Sequence, residues 1–292
     1  MFNLKSVSNE SKILIDIESF VENVSVMKYQ SRNFYNKLTE LLIKLDRIYN
    51  SDHYYVPAIE AMIELLLDLD EYLDSRRGLY ERLTEISFED IQRDFKRHSR
   101  RHKRKLDDHR QSESENTNTL VKRMQDVSDR YSRILVVRVD LAYPLKSQDQ
   151  IGIKDFKEDM DVLRTRLRDQ DTVFNGLVEY VWALEQGEDK GYHCHLLLVY
   201  QGSKRRNAYW IADQVGKLWS DITDGLGCHF NCHTSDYLKQ FSDRNCLGIG
   251  MINRNNLDEV NNMLNTVKYL VRPEKESQHL RVKTKKRMRT FG

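Results

Sequence analysis

The chain has 292 residues but only 3 prolines and 12 glycines. So little of either excludes collagen-like repeats and long flexible linkers. No apolar run approaches the roughly 18 residues needed to span a bilayer, and Met1–Glu10 carries no secretory signal pattern. Four cysteines without such a signal point to reduced thiols in a cytosol, and not to a disulfide framework. Disorder throughout is excluded by an aromatic content of 10%. Net charge is also scarce: 47 Lys+Arg against 45 Asp+Glu leave +2. That balance would argue against a polyanionic partner if the charge were evenly spread. Instead, residues 1–95 hold 11 basic and 18 acidic side chains, a net of −7, and the remainder holds 36 and 27, a net of +9. Seven of the ten residues Lys96–Lys105 are basic, as are six of the nine from Arg281 to Arg289. One such run is as readily a solvated helix face. Two in a polarised chain point to a polyanion.

Residues 11–130 read as helical. Tyr35, Leu38, Leu41, Leu42, Leu45, Ile48 and Tyr49 recur at three- and four-residue spacing. Ile59, Met62, Ile63, Leu66 and Leu67 repeat the pattern after Pro57, which suits a first helical turn. A further helix is expected over Phe88–Asp108, and the polar stretch 111–119 reads as a loop or linker. After about residue 132 the texture changes. Strands are expected over 134–141, 176–184, 192–200 and 248–252, and helices over 156–168, 209–222 and 256–272. That order implies an α+β fold, an antiparallel sheet with helices on one face. The division drawn is a helical region 1–130, of no assigned role, and a domain 131–292.

The chemistry concentrates in the second part. His193 and His195 alternate with Cys194 on one expected strand, so their imidazoles point to the same side. The preceding strand ends near Glu185, and hairpin pairing can set this carboxylate across from the histidines as a third ligand. Two His and one carboxylate leave coordination positions open, as a catalytic metal requires. Arg138 and Asp140 share a face within an apolar run and form a supporting polar patch, since buried charges need partners. Cys228-His229-x-x-Cys232-His233 is a rival, a zinc site with thiolate ligands, although its spacing fits closed zinc sites poorly. His233 stays open as an auxiliary group.

On the helix from Asn256, the expected core stripe is Leu257, Val260, Leu264, Val267 and Val271. At 100° per residue, Tyr269 lies about 180° from Val260 and shares its face with Asn262, Asn265 and Arg272. A tyrosine so placed is by default a surface residue; facing a metal site, it becomes a candidate nucleophile. A phenol attacks a phosphodiester when cations neutralise the phosphate oxygens and align the groups.

The segments Arg138-Val-Asp-Leu-Ala-Tyr-Pro144, Trp182-Ala-Leu-Glu-Gln-Gly187, Tyr192-His-Cys-His-Leu-Leu-Leu198, Tyr269-Leu-Val-Arg272 and Arg289-Thr-Phe-Gly292, together with Trp219, resemble the inovirus-type gene II replication proteins. These belong with the HUH endonucleases that initiate rolling-circle replication. The resemblance covers roughly residues 130–292. It implies His193, His195 and Glu185 as ligands of Mg²⁺ or Mn²⁺. Tyr269 would be the nucleophile, forming a 5′-phosphotyrosine and freeing a 3′-OH, with Tyr237 the nearest alternative. Arg272 stands where such initiators usually have Lys; it keeps the charge in a fixed fork. The implied setting is the cytoplasm of a bacterial host carrying a phage, plasmid or integrated element. The partners are single-stranded or hairpin origin DNA and, further, host replication proteins, with no membrane. DNA contacts are expected at Lys204, Arg205 and Arg206 after the His strand, and at Arg281, Lys283, Lys285, Lys286 and Arg287 after the tyrosine helix. Two competing readings are a non-catalytic DNA-binding regulator with the same fold and a decayed site, and a zinc-stabilised helical adaptor.

Overall fold

The computed structural model describes residues 9–270 and 278–292, without the side chains of 108–113, 115 and 116. In chain order the elements are α1 (Glu10–Val26), α2 (Phe34–Ile48), β1 (Tyr54–Tyr55), α3 (Pro57–Asp68), α4 (Arg76–Thr84), α5 (Phe88–Arg130), β2 (Arg133–Ala142), α6 (Leu145–Gln148) and α7 (Ile153–Asp169). They continue with β3 (Leu177–Gly187), β4 (Gly191–Gln201), α8 (Ala208–Ile222), β5 (Cys228–Asn231), α9 (Ser235–Ser242), β6 (Gly250–Asn253), α10 (Leu257–Leu270) and β7 (Val282–Lys283). Among the described residues, no helix is long and apolar enough to cross a membrane.

Two units result. The helical unit comprises Met1–Asp108, Gln148–Lys154 and Arg281–Met288; the sheet unit comprises His109–Ser147, Asp155–Leu280 and Arg289–Gly292. The sequence reading divides the chain at 130/131, whereas the compact units part at Asp108/His109. The chain returns to the helical unit near its end because β7 pairs with β1, Tyr54 opposite Lys283 and Tyr55 opposite Val282.

In the helical unit the periodic residues do what their spacing implies. Leu38, Leu41, Leu42 and Leu45 of α2 and Ile59, Met62, Ile63 and Leu66 of α3 are buried. Phe34 stacks on Phe20 and meets Phe88 edge-on, with centroids 5.9 and 5.0 Å apart. Pro57 is the first residue of α3. The expected loop at 111–119 is not there, because α5 runs unbroken for 43 residues. The stretch is polar but contains neither Gly nor Pro, so nothing in it interrupts the hydrogen-bond ladder, and the flanking turns carry the helix through.

The sheet unit is α+β, as expected. Its five-stranded antiparallel sheet has the order β3-β4-β2-β5, with β6 also paired to β2. The two short strands share one edge of β2: β5 takes Val139–Ala142 and β6 takes Arg133–Val136. Alternation decides the faces. Ile134, Val136, Val181, Ala183, Leu197 and Val199 pack against Leu120, Met124 and Val127 of α5 and Val260, Met263 and Val267 of α10. On the opposite face Phe156 of α7 stacks on Tyr192, and Trp219 of α8 meets Tyr143. Helices thus cover both faces of the sheet, not one as expected, since β2 and β4 are buried on both sides and each face needs a cover.

Candidate metal centre and cleft

The site lies where the α10-covered face turns from apolar to polar. β3 and β4 form a hairpin that puts Glu185 directly opposite His193, and Ala183 opposite His195. On the other side of β4, Asp140 of β2 is opposite His195. Three neighbouring strands therefore each send polar groups to the same side at the same level, a consequence of the two-residue period.

Glu185, His193 and His195 are all buried, and one ligand atom from each lies within 4.8 Å of the others. Nε2 of His193 is 3.3 Å, and Nε2 of His195 3.2 Å, from the same carboxylate oxygen, Glu185 Oε2. The far nitrogens are engaged elsewhere. His193 Nδ1 lies 3.0 Å from the Gly191 carbonyl, and His195 Nδ1 2.7 Å from Asp140 Oδ1. Both acceptors call for a donating Nδ1–H, which leaves each Nε2 with a lone pair aimed at an anionic oxygen. With His195 neutral, the two Nε2 lone pairs and the Glu185 oxygen converge, an arrangement that can hold a cation. These three residues can hold a metal ion.

The surrounding charges fit this reading. Arg138 Nε is 3.2 Å from Asp140 Oδ1, so the expected Arg138–Asp140 patch is a buried ion pair behind His195. Burial pushes the Asp140 carboxyl up, but His195 and Arg138 outweigh it and hold it well below the usual carboxylate range. Burial opposes a charge on His195, yet its hydrogen bonds to Asp140 and Glu185 prevail and raise its pKa. An ion would have to displace that proton, so its affinity falls as pH falls.

The cluster opens into a cleft of about 730 Å³. Its walls bring together His193, His195, Arg138 and Asp140 with Tyr269, Asn262, Asn265 and Thr266 of α10, and with Lys190 of the hairpin turn. Tyr269 is 49% exposed, in keeping with its expected position off the core stripe. That stripe itself shifts: Met263 and Leu270 are buried while Leu257, in the first turn beyond the core, is 73% exposed. Val271 and Arg272 lie outside the described residues. Phe230, Tyr237 and Phe241 form a further wall, with successive centroids 5.4 and 4.9 Å apart. It was missed from sequence because β5 and α9, which carry it, are too short for a readable period.

The rival zinc cluster does not assemble. Strand alternation separates its members: the His229 ring lies against Gly216 of α8, and Cys232 is buried in the core under α10. Among the described residues, no group able to hold an ion includes Cys228, His229, Cys232 or His233. His233 is instead structural. Between β5 and β6 the edge of β2 lacks a strand partner, and there His233 Nε2 accepts the Arg138 backbone N–H at 3.0 Å. Burial lowers its pKa to about 4, so the ring stays neutral and able to accept.

The expected DNA contacts need revision. Lys204–Arg206 do follow the His strand, but β4 runs away from the site for six residues after His195, roughly 20 Å of extended chain. None of the three lines the cleft, and Arg205 donates to the Asn175 carbonyl. Arg281 is 3% exposed and holds Glu18 through Nε and Nη2 at 2.7 and 2.6 Å, which makes it a core ion pair of the helical unit. Lys285, Lys286 and Arg287 are exposed, and Lys283 is half-buried in β7.

The fold and site thus define an antiparallel-sheet unit with a buried three-residue cluster able to hold a metal ion, whose two histidines line a cleft shared with Tyr237 and Tyr269. Residues 79–292 match the family model described as the YagK/YfjJ C-terminal domain, and the chain belongs to that family. No curated protein and no solved structure shows significant similarity to it.

Proposed function

We propose that the chain is a metal-dependent DNA-nicking and -joining transesterase of the HUH type, initiating rolling-circle replication of a phage, plasmid or integrated element. One observation carries the reading: Tyr269 lines the same cleft as His193 and His195, the two histidines grouped with Glu185. The three ligands would hold Mg²⁺ or Mn²⁺. Such an ion neutralises a phosphate oxygen and raises the electrophilicity of phosphorus. The Tyr269 oxygen attacks the scissile phosphorus, the phenol proton is lost, and the bond to the 3′-oxygen breaks. The products are a 5′-phosphotyrosine and a free 3′-OH, which primes synthesis; attack by a 3′-OH reverses the step and rejoins the strand. Lys190 and the Arg138–Asp140 pair line the cleft together with the acidic Glu188 and Asp189. Burial raises the Tyr237 pKa to about 12, which opposes loss of its proton and favours the half-exposed Tyr269 as nucleophile. The decayed-site alternative gains no support from a ligand set that is complete and oriented.

The test is covalent-adduct formation on single-stranded origin DNA. Wild type should form an adduct with Mn²⁺ or Mg²⁺ and none in chelator. Tyr269→Phe should form none. An undiminished adduct from Tyr269→Phe removes that residue from the mechanism, and His193→Ala should lose cleavage while keeping most DNA binding.

A further inference from the structure

We propose that the solvent face of α5 within the helical unit is a second nucleic-acid surface, one that binds the phosphate backbone of duplex DNA without reading its sequence. The inference rests on the proposed nicking function only for the identity of the polyanion; the metal cluster plays no part in it.

Arg93, Lys96, Arg97, Arg100 and Arg104 line one groove along α5. Their three- and four-residue spacing makes a single stripe, about 16 Å from first to last. The opposite face of the helix, Ile91, Phe95, His98 and His102, is buried in the helical unit, so the stripe stands on a packed support. Arg100 and Arg104 have no carboxylate partner among the described residues. Arg97 pairs with Glu64 at 3.1 Å and Arg93 with Asp90 at 2.5 Å, in exposed pairs. Such exposed, solvent-screened pairs contribute little and give way readily to a phosphate.

The chemistry selects the partner. Guanidinium forks match phosphate oxygens, and a row of them releases counterions from a polyelectrolyte. Only Glu, Gln, Lys and Arg line the groove, so it offers no apolar side chain for a bilayer interface and no anchor pocket for a peptide. It has no aromatic ring on which an unpaired base would stack. A rigid row of cations suits the regular phosphates of a duplex, such as the double-stranded DNA beside a nick.

The experiment measures anisotropy of a labelled 30-bp duplex of arbitrary sequence, in chelator, with the full chain across a series of salt concentrations. Wild-type affinity should fall steeply with salt. Arg100→Ala/Arg104→Ala should bind about tenfold more weakly and show a log–log slope shallower by about 1.8, from two lost phosphate contacts. Wild-type affinity and slope in this variant would overturn the proposal, as would a variant that loses only single-strand binding. Preferential sedimentation of wild type with phosphatidylserine vesicles would overturn it in favour of a membrane. Adduct formation on a short single strand separates the two readings. A variant that keeps the adduct but loses the duplex supports the second surface. A wild type that forms no adduct refutes the nicking reading and leaves the duplex result standing.

Discussion

Asp140→Asn tests the electrostatic logic of the site without touching a ligand. The substitution keeps the shape of the side chain and an oxygen near His195, but it removes the charge that the His195 imidazole and the Arg138 guanidinium both face, at 2.7 and 3.2 Å. Two consequences follow. An outer partner that orients a ligating imidazole is worth about 10–100-fold in metal affinity, or roughly 1.4–2.7 kcal/mol. Breaking a buried ion pair leaves Arg138 uncompensated at 8% exposure, a cost of about 3–5 kcal/mol. For a unit of this size that lowers Tm by roughly 6–12 °C, taking 2–4 °C per kcal/mol at the lower cost. Calorimetric titration with Mn²⁺ reads the first effect and thermal unfolding the second. Adding Arg138→Met separates them: the double variant should regain most of the stability and none of the metal affinity. Metal binding of wild-type strength in Asp140→Asn would refute the claim that the charge of this carboxylate supports metal binding through His195.

Three further outcomes are expected. His233 is buried with a pKa near 4 against an ordinary 6.5, so the unfolded chain takes up its proton first; stability is full above about pH 6.5 and declines by roughly 3 kcal/mol as pH falls to 4. His233→Gln, which still offers an acceptor to the Arg138 N–H, should flatten that part of a stability–pH curve from denaturant titration. A Cβ at Gly248 would sit 2.2 Å from the Asn262 carbonyl oxygen of α10, so Gly248→Ala should shift the helix that carries Tyr269 and slow adduct formation by 10-fold or more, since a displacement of about 1 Å can cost 10²-fold. Glu60→Gln releases Arg101 and Lys105, now 2.9 and 3.8 Å from its carboxylate, and should strengthen duplex binding severalfold at low salt while steepening the salt slope; weaker binding would contradict a phosphate-binding role for α5.

What could be read from sequence was whatever depends on a short, strict period. His193 and His195 share a side because strands alternate, Glu185 joins them because a tight hairpin fixes register, and Arg138 and Asp140 meet His195 for the same reason. Tyr269 was placed off the core by a 100° step that the helix obeys. Tertiary pairing was not legible. Nothing local announces that 281–288 returns to pair with β1, so Arg281 looked like a surface cation when Glu18 already holds it. Lys204–Arg206 were placed by their proximity in sequence to His195, whereas an extended strand carries the chain away at over 3 Å per residue. The β5 edge, too short for a pattern, hid both the aromatic wall and the reason His229 and Cys232 part company.

Charge shows the same limit in a different form. Splitting the chain near residue 95 separates a −7 part from a +9 part, but the folding boundary falls elsewhere: the basic run 96–105 belongs to the same compact unit as the acidic helices. Glu60 and Glu64 of α3 face Arg101, Lys105 and Arg97 of α5. The acidic part thus neutralises one flank of the basic run and leaves the other, with Arg100 and Arg104, turned to solvent. Pairing of this kind reduces the self-repulsion of seven cations in ten residues enough for them to share a helix, and it restricts the unpaired charge to a stripe. A helical part that does this has a role in the charge of the molecule even though none of its described residues belongs to the Glu185–His193–His195 group.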